Sequence, residues 1–496
     1  MRFPILLLMV FAVQVCSAAE PLTTLLQRCQ AGRALWEQAF ESAAVRVLSP
    51  DSSLTLLSIG GFSAPRADEA IVQQGRGGRR LDVSAATLTR LGTADCVWGE
   101  AQYANGTTYD VRWTETSDYA MLAPYVLGDP KGGDLQHEQY SLCGGYSSRM
   151  GQSLMGFELG YRALSEYRDR DPRPSNTVAH LKASASYGRR LTPATLAAAS
   201  LRYARYKQTN ELQYLNELGA AMEYHLTGVG NHFLRFSGAS NNCFYKGDDV
   251  GLGLLVHHRL PTGLLSFGAD YDYACREKIL SDLNRLPLND LRTRQLQLRL
   301  GWLSAGWGIE ASFATEHRKG RDNLFGDATG NVYPQIGSRR QYSADGLQSA
   351  LTGYWRTSCG PLAWGIEPSA AFGRHEERHA DTSNSRDHSD LTWSLRGSCV
   401  WQKEHSALMG EAAFGARNSL GHGLTLGQVA DDDLADALRL ADLYMKEGTR
   451  SLSLGAGYVR AMGSSQTLGL HLSWHHEWYL AESTASRYEA RITLTL

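Results

Sequence analysis

The sequence predicts an all-β fold, a single transmembrane antiparallel β-barrel of about 18 to 20 strands led by a short N-terminal helical segment. Three observations carry this reading. Apolar and polar residues alternate with period two over segments of 9 to 13 residues. Short links and long polar loops take turns between those segments. The chain opens like an exported protein, and beyond its first residues no apolar run is long enough for a helical membrane span.

Residues 1–19 read as a signal peptide. Arg2 supplies the positive start, residues 5–13 are an apolar run, and Ser17-Ala18-Ala19 offers the small residues that signal peptidase accepts. Such a run is too short to cross a bilayer, which takes about 20 apolar residues. Cys16 follows Val15, where a lipidation site would carry a small residue, so lipidation is not expected.

Residues 20–52 form an N-terminal segment. Leu25, Leu26, Ala31, Leu35, Trp36, Ala39, Phe40 and Ala43 recur at helical spacing. This predicts a helix at the periplasmic mouth or inside the lumen.

Residues 53–496 are the barrel. Leu296, Leu298, Leu300 and Trp302 alternate with Gln295, Gln297, Arg299 and Gly301. Leu265, Phe267, Ala269 and Tyr271 alternate with Ser266, Gly268, Asp270 and Asp272. Successive side chains of a strand point to opposite faces, so each segment has one apolar and one polar face. Eighteen such segments run from residue 96 to the end, including 213–226 and 231–240, and 53–62 with 79–91 add a first hairpin. A soluble sandwich would use shorter strands, of about 5–6 residues, and would have to bury the polar face. A water-facing inner wall removes that conflict.

The links agree. Short ones sit at 189–193, 259–263, 304–306 and 402–405; long ones at 164–177, 206–212, 240–248, 275–291, 318–344, 375–389 and 417–447. Outer-membrane barrels pair tight periplasmic turns with longer external loops in this way. Tyr203, Trp302, Trp307, Trp355, Trp364, Trp401, Tyr458 and Trp474 fall near strand ends, where amphipathic rings favour the membrane interface. Asp431-Asp432-Asp433 opens a short external helix in the loop 417–447, and Asn105-Gly106 reads as a tight turn.

The polar face supplies the lumen-lining candidates: Glu158, Arg162, Lys182, Arg202, Glu223, Arg235, Asp270, Asp272, Arg299, Glu310, Glu367 and Arg491, together with Glu411 and Glu489. They either line a water path or brace the wall, and their mixed sign argues against a strongly ion-selective pore. The chain carries 49 basic and 51 acidic side chains, a net charge of -2, which excludes a nucleic-acid partner. Its expected partners are outer-membrane lipids and a small solute.

Catalytic and metal motifs are weak. His375-Glu376-Glu377-Arg378-His379 matches H-E-x-x-H, which binds zinc only on a helix, and the segment reads as a charged strand tip leading into an external loop. A barrel-wall hydrolase would need a Ser–His pair with a third orienting group, and no local signature selects one. Asp431–433 as a calcium site is less favoured than a solvated helix start. Cys243 and Cys275 are placed in external loops, where they can pair. No catalytic residue, metal or cofactor is assigned.

Between residues 98 and 162 the chain carries Gly99-Glu100-Ala101-Gln102-Tyr103-Ala104-Asn105-Gly106, then Trp113, Asp118, Pro124-Tyr125, Asp129, Gly132-Gly133-Asp134, Glu138 and Tyr140. Here it resembles a family of uncharacterised outer-membrane β-barrel proteins of Gram-negative bacteria. Arg170-Asp171-Pro172-Arg173-Pro174 is similar to that family's external loop. The resemblance implies an outer-membrane barrel and carries over no activity. The C-terminal Leu496 departs from the Phe or Trp that ends many barrels. The expected function is passage or binding of a solute. The alternatives are an external binding surface built on the long loops and a barrel-embedded hydrolase.

Overall fold

The computed structural model describes residues 42–48, 53–67, 71–216, 222–238, 242–330, 332–462, 466–479 and 483–496. The expected signal peptide and most of the expected N-terminal helix lie outside these residues.

In chain order the strands begin β1 Leu54–Ala64, β2 Gly78–Arg90 and β3 Asp95–Val111, then β4 Leu127–Gly128, β5 Gly133–Met150, β6 Ser153–Tyr167, β7 Arg173–Arg190 and β8 Thr195–Gln213. They continue with β9 Tyr224–Gly228, β10 Asn231–His232, β11 Cys243–Leu260, β12 Gly263–Leu280, β13 Leu286–Leu303, β14 Trp307–Phe325 and β15 Gln335–Cys359. The last are β16 Leu362–His379, β17 Ser385–Lys403, β18 Ser406–Thr425, β19 Thr449–Ala461, β20 Thr467–Tyr479 and β21 Ser483–Thr495. Among the described residues, the α-helices α1 Tyr119–Leu122 and α2 Asp432–Glu447 lie in loops.

Eighteen of the strands form one antiparallel sheet. It closes because β1 pairs with both β2 and β21. Thr55 and Leu496 exchange backbone hydrogen bonds of 3.1 and 2.8 Å across the seam, so β1 begins and β21 ends at the short-turn end. Closure satisfies every wall strand on both edges, which the hydrocarbon region demands.

The alternation sorts side chains as the sequence implies. Leu298 faces outward between Ala269 and Phe313, and Arg299 faces inward, donating to Asp270 at 3.1 Å. Leu252, Leu254, Leu300 and Ile492 are exposed on the outside, as expected of side chains whose partners are lipid tails. Trp302 with Trp307, and Trp355 with Trp364, form aromatic pairs at the short-turn end of the belt.

Several expectations fail at the other end. Beyond Gln213, which ends β8, the described residues of the segments 213–226 and 231–240 add no wall strand. Residues 224–228 and 231–232 instead form a three-stranded sheet with β4, inside the barrel mouth. The loops expected at 275–291, 318–344 and 375–389 are mostly strand, reaching Leu280, Phe325 and His379 before turning. Wall strands of 18 to 25 residues here exceed the roughly 9–11 needed to span the membrane, so their upper parts stand clear of it. Asn105-Gly106 lies inside β3, paired to Leu81 and Arg80 on one side and to Glu138 and His137 on the other. Pairing on both edges overrides the local turn preference. Cys243 and Cys275 lie on neighbouring strands, five positions apart in register and on opposite faces, so they cannot join. Both are free thiols.

Leu298→Arg should cost about 2–4 kcal/mol of barrel stability, since it sets a cation in the lipid belt. Arg299→Leu should leave folding intact and change the lumen. Heat-shifted gel mobility after refolding into micelles compares the two; equal tolerance would contradict the assigned faces.

Candidate functional site: the plugged lumen

Three layers of residues narrow the lumen. At the short-turn end, residues 43–48 form a 3-10 turn against the inner wall. The Ala44 amide donates to Ser186 Oγ at 2.7 Å, and Ser147 Oγ donates to the Ala44 carbonyl at 2.9 Å. Arg46 stacks on Trp98 at 4.7 Å and lies 3.6 Å from Glu158, which also accepts from the Trp98 indole. Gly156 lets the turn approach: a Cβ there would lie 2.3 Å from the backbone of Ala43 and Ala44.

The middle layer is polar. Arg202 binds Asp270 at 2.5 Å and Asp272 at 3.1 Å, and Arg299 shares Asp270. Such networks brace a barrel wall.

The upper layer is a cap. Residues 112–132, which join β3 to β5, fold into the barrel rather than outward. Wall strands on several sides of the barrel hold them. Arg162 and Tyr206 both donate to Asp118, at 3.0 and 2.9 Å. Asn176 and Asn210 donate to the Glu115 carbonyl, each at 2.8 Å. Lys278 Nζ donates to the Val126 carbonyl at 2.9 Å, and Arg318 to that of Ala123 at 3.3 Å. Tyr125 sits over Gly320, whose missing Cβ would fall 2.2 Å from the phenol oxygen. Trp113, Leu122 and Val126 share a dry core with Tyr224, Leu226 and Phe236, with Leu434 and Leu438 of α2, and with Leu280 and Leu288 of the wall. This core explains why 213–226 and 231–240 mislead: Tyr224, Leu226, Phe233 and Phe236 pack on other loops and the upper wall, not on lipid.

A buried ionic cluster locks the cap. Arg168, between β6 and β7, donates to Glu115 and Asp129 at 2.8 Å each, and all three side chains are essentially inaccessible. Glu223 joins them; the nearest oxygens of the three carboxylates lie within 4.8 Å of one another. Tyr214 donates to Glu223 at 2.7 Å. The carboxylates are close enough to share a cation, and among the described residues Arg168 pairs with two of them, Glu115 and Asp129. One guanidinium does not balance three carboxylates. Burial, with the neighbouring charges of Glu223 and Asp129, pushes the Glu115 carboxyl well above its ordinary value. Burial pushes Glu223 up as well.

Beneath the cap lies a cavity of about 470 Å³. Gln295, Gln297, Glu316, Gln348, His388 and Asp390 line it. Its roof is the row Arg318, Tyr342 and Glu377, against which Tyr119 and Tyr125 rest.

The sequence candidates distribute as follows. Glu158 lies at the lower turn. Lys182, Arg202, Asp270, Asp272, Arg299, Glu310, Glu367 and Arg491 sit at inward positions of the mid-wall; Glu367 stands opposite Arg396, and Arg491 binds Glu489 at 3.1 Å. Glu411 meets His471 at 3.5 Å. Arg162 clamps the cap. Glu223 and Arg235 are not on wall strands. Glu223 belongs to the ionic cluster, and Arg235 donates to the Phe325 carbonyl at 2.7 Å near the rim.

His375, Glu377 and His379 alternate inward along β16, not in a loop. His375 lies 2.9 Å from Glu377, which pairs with Arg386 at 3.2 Å. Four strand residues separate the two histidines by about 13 Å, too far for one zinc ion. Asp431 caps α2 through the Asp433 amide at 2.9 Å and accepts from Tyr224 at 2.9 Å. Ser453–His475 and Ser486–His476 are each 2.7 Å pairs, but among the described residues neither imidazole has a carboxylate or amide on its other nitrogen.

Sequence reasoning missed Glu115, Asp129, Arg168 and the cavity lining. The one signal that touched the cap was the block of resemblance residues Trp113, Asp118, Tyr125, Asp129 and Gly132.

Arg168→Met should cost the cap about 3–5 kcal/mol, because three buried carboxylates lose their cation. Limited proteolysis between residues 112 and 132 should accelerate while the barrel keeps its folded gel mobility. The two raised carboxyls also set a pH dependence. The closed cap holds protons that an opened one releases, so its stability is complete below about pH 4.5, the ordinary carboxyl value, and falls as pH rises through the raised values. Open-channel events in a planar bilayer should therefore become more frequent as pH rises, and Glu115→Gln should flatten the trend.

Among solved structures, the chain is similar to the copper transporter OprC (TM-score 0.41, 9% identity, covering 88% of this chain and 68% of that one). It is similar to BauA, the ferric preacinetobactin receptor from Acinetobacter baumannii (TM-score 0.44, 11% identity, 90% and 79%). The CymD monoaromatic hydrocarbon channel also matches (TM-score 0.30, 11% identity, 92% of each chain). No curated protein matches the sequence. Residues 42–496, which hold the whole barrel, its cap and its lower turn, match a family of unknown function, DUF6850, and the chain belongs to that family.

Proposed function

We propose that the barrel passes a small, polar, hydrogen-bonding solute across the outer membrane of a Gram-negative bacterium, through a lumen gated at both ends by its own chain. The observation that carries this is the cavity beneath the cap. It presents the amides of Gln297 and Gln348 beside the acid Asp390 and the imidazole of His388, next to Glu316, which Gln295 and Arg318 already hold. A wall of mixed sign suits a neutral or zwitterionic solute better than a single class of ion. About 470 Å³ falls in the range of roughly 300–1,000 Å³ usual for small-ligand sites. The cap stands across the way out, and the 3-10 turn narrows the way in. Passage then requires residues 112–132 to swing aside, which the unbalanced ionic cluster makes affordable.

Uptake into proteoliposomes tests the reading, with sugars and amino acids of graded size as probes. The wild type should admit small solutes slowly. A variant with residues 114–129 replaced by a short Gly-Ser link should admit them faster and conduct in a planar bilayer. Gln297→Leu with Gln348→Leu should lower uptake without lowering the amount of folded barrel. If neither the wild type nor the shortened variant conducts or admits any solute, the passage reading fails.

A further inference from the structure

The outer surface just above the lipid belt carries an unusual set of charges. On β13 and β14 the outward residues directly opposite one another include Arg292 with Lys319, while Arg294 faces His317, which is itself paired with Asp345 of β15 at 2.6 Å. One strand further, Arg321 on β14 stands opposite Arg340 on β15. Like charges directly across a strand pair are destabilising. Two acids compensate only in part: Asp290 lies 3.3 Å from Arg292 and 3.7 Å from Arg321 and serves both, and Asp345 is taken by His317. Arg294, Lys319 and Arg340 are exposed, and among the described residues none has a carboxylate within ion-pair distance.

The height of this patch selects its ligand. Directly below Arg294 on the same face come Leu296, Leu298 and Leu300; below His317 come Phe313 and Ile309. Leu300 and Ile309 are strongly exposed, as lipid-facing side chains are. The cations therefore begin where the apolar belt stops, on the side of the long loops. A soluble anion would find charge there but no use for the adjoining apolar wall. A lipid would use both, with its acyl chains on the leucine rows and its headgroup among the guanidinium groups. Arginine suits phosphate in particular, since its planar fork meets phosphate oxygens in pairs.

We propose that this face of β13–β15 is a docking site for a phosphate-bearing lipid of the external leaflet. The lipid's phosphates bridge Arg292, Arg294 and Lys319, and they relieve the repulsion that the strand register imposes.

The test is retention of diphosphorylated lipid A by the purified barrel in zwitterionic micelles, read by native mass spectrometry and by titration. The wild type should hold it in preference to phosphatidylcholine. Each basic residue at a membrane surface contributes about 1 kcal/mol, or roughly fivefold, so a triple variant, R292Q with R294Q and K319Q, should lose about a hundredfold in affinity. The control R189Q with R190Q, at the short-turn end, should lose nothing. Heat-shifted mobility establishes that each variant is folded, and the single exposed change K319Q, with its roughly fivefold loss, serves if the triple one does not fold. Undiminished binding by the triple or single variant would overturn the proposal. So would an equal loss in the control, or displacement of the lipid by an equal concentration of inorganic phosphate.

Discussion

An 18-stranded barrel encloses more space than its inward side chains can fill. That single constraint organises the structure. The wall itself needs only alternation and closure, and it has both. The space inside must be left to water or filled by chain from elsewhere. Here it is filled from both ends, by residues 43–48 below and by the loops around residues 112–132 and 222–238 above. The inward polar residues are therefore less a pore lining than a set of handles. Asn176, Asn210, Tyr206 and Lys278 spend their hydrogen bonds on the cap's backbone or on Asp118.

Filling a wet space with chain creates a second problem. Loop backbone and its carboxylates must leave water, and buried charge is costly unless it is paired. The cluster of Arg168, Glu115, Asp129 and Glu223 answers it incompletely. The guanidinium satisfies two carboxylates well, and the third leaves an excess that only a proton can remove. A cap held this way is closed in its ground state and stays within reach of opening. A fully apolar plug of the same size would be more secure and less suited to a gate.

The wall was legible in the sequence because period-two alternation is a local property. Leu296, Leu298 and Leu300 face lipid whatever happens thirty residues away. The cap was not legible, for a physical reason. Tyr224, Leu226, Phe233 and Phe236 carry the apolar signal of a wall strand, yet their partners are Trp113 and Phe325, far off in sequence. Hydrophobicity reports that a side chain avoids water and does not say whether lipid or protein receives it. The upper strand segments were misread in the opposite sense. Arg378, Arg386 and Arg321 look like loop because they are charged, but a strand standing above the membrane is free to be charged on both faces. Glu115, Asp129 and Arg168 come together only through the closed barrel, so no spacing announces them. The inward candidates on wall strands could be named from parity alone; Glu223 and Arg235 could not, because parity has no meaning off the sheet.

The account rests on residues 112–132 being clamped within the lumen. Amide hydrogen exchange of the folded barrel in micelles measures this most directly. The amides of Trp113, Glu115 and Leu122 should exchange nearly as slowly as those of the neighbouring wall strands β6 and β8. Exchange as fast as that of a free surface loop would mean that the cap does not close the barrel.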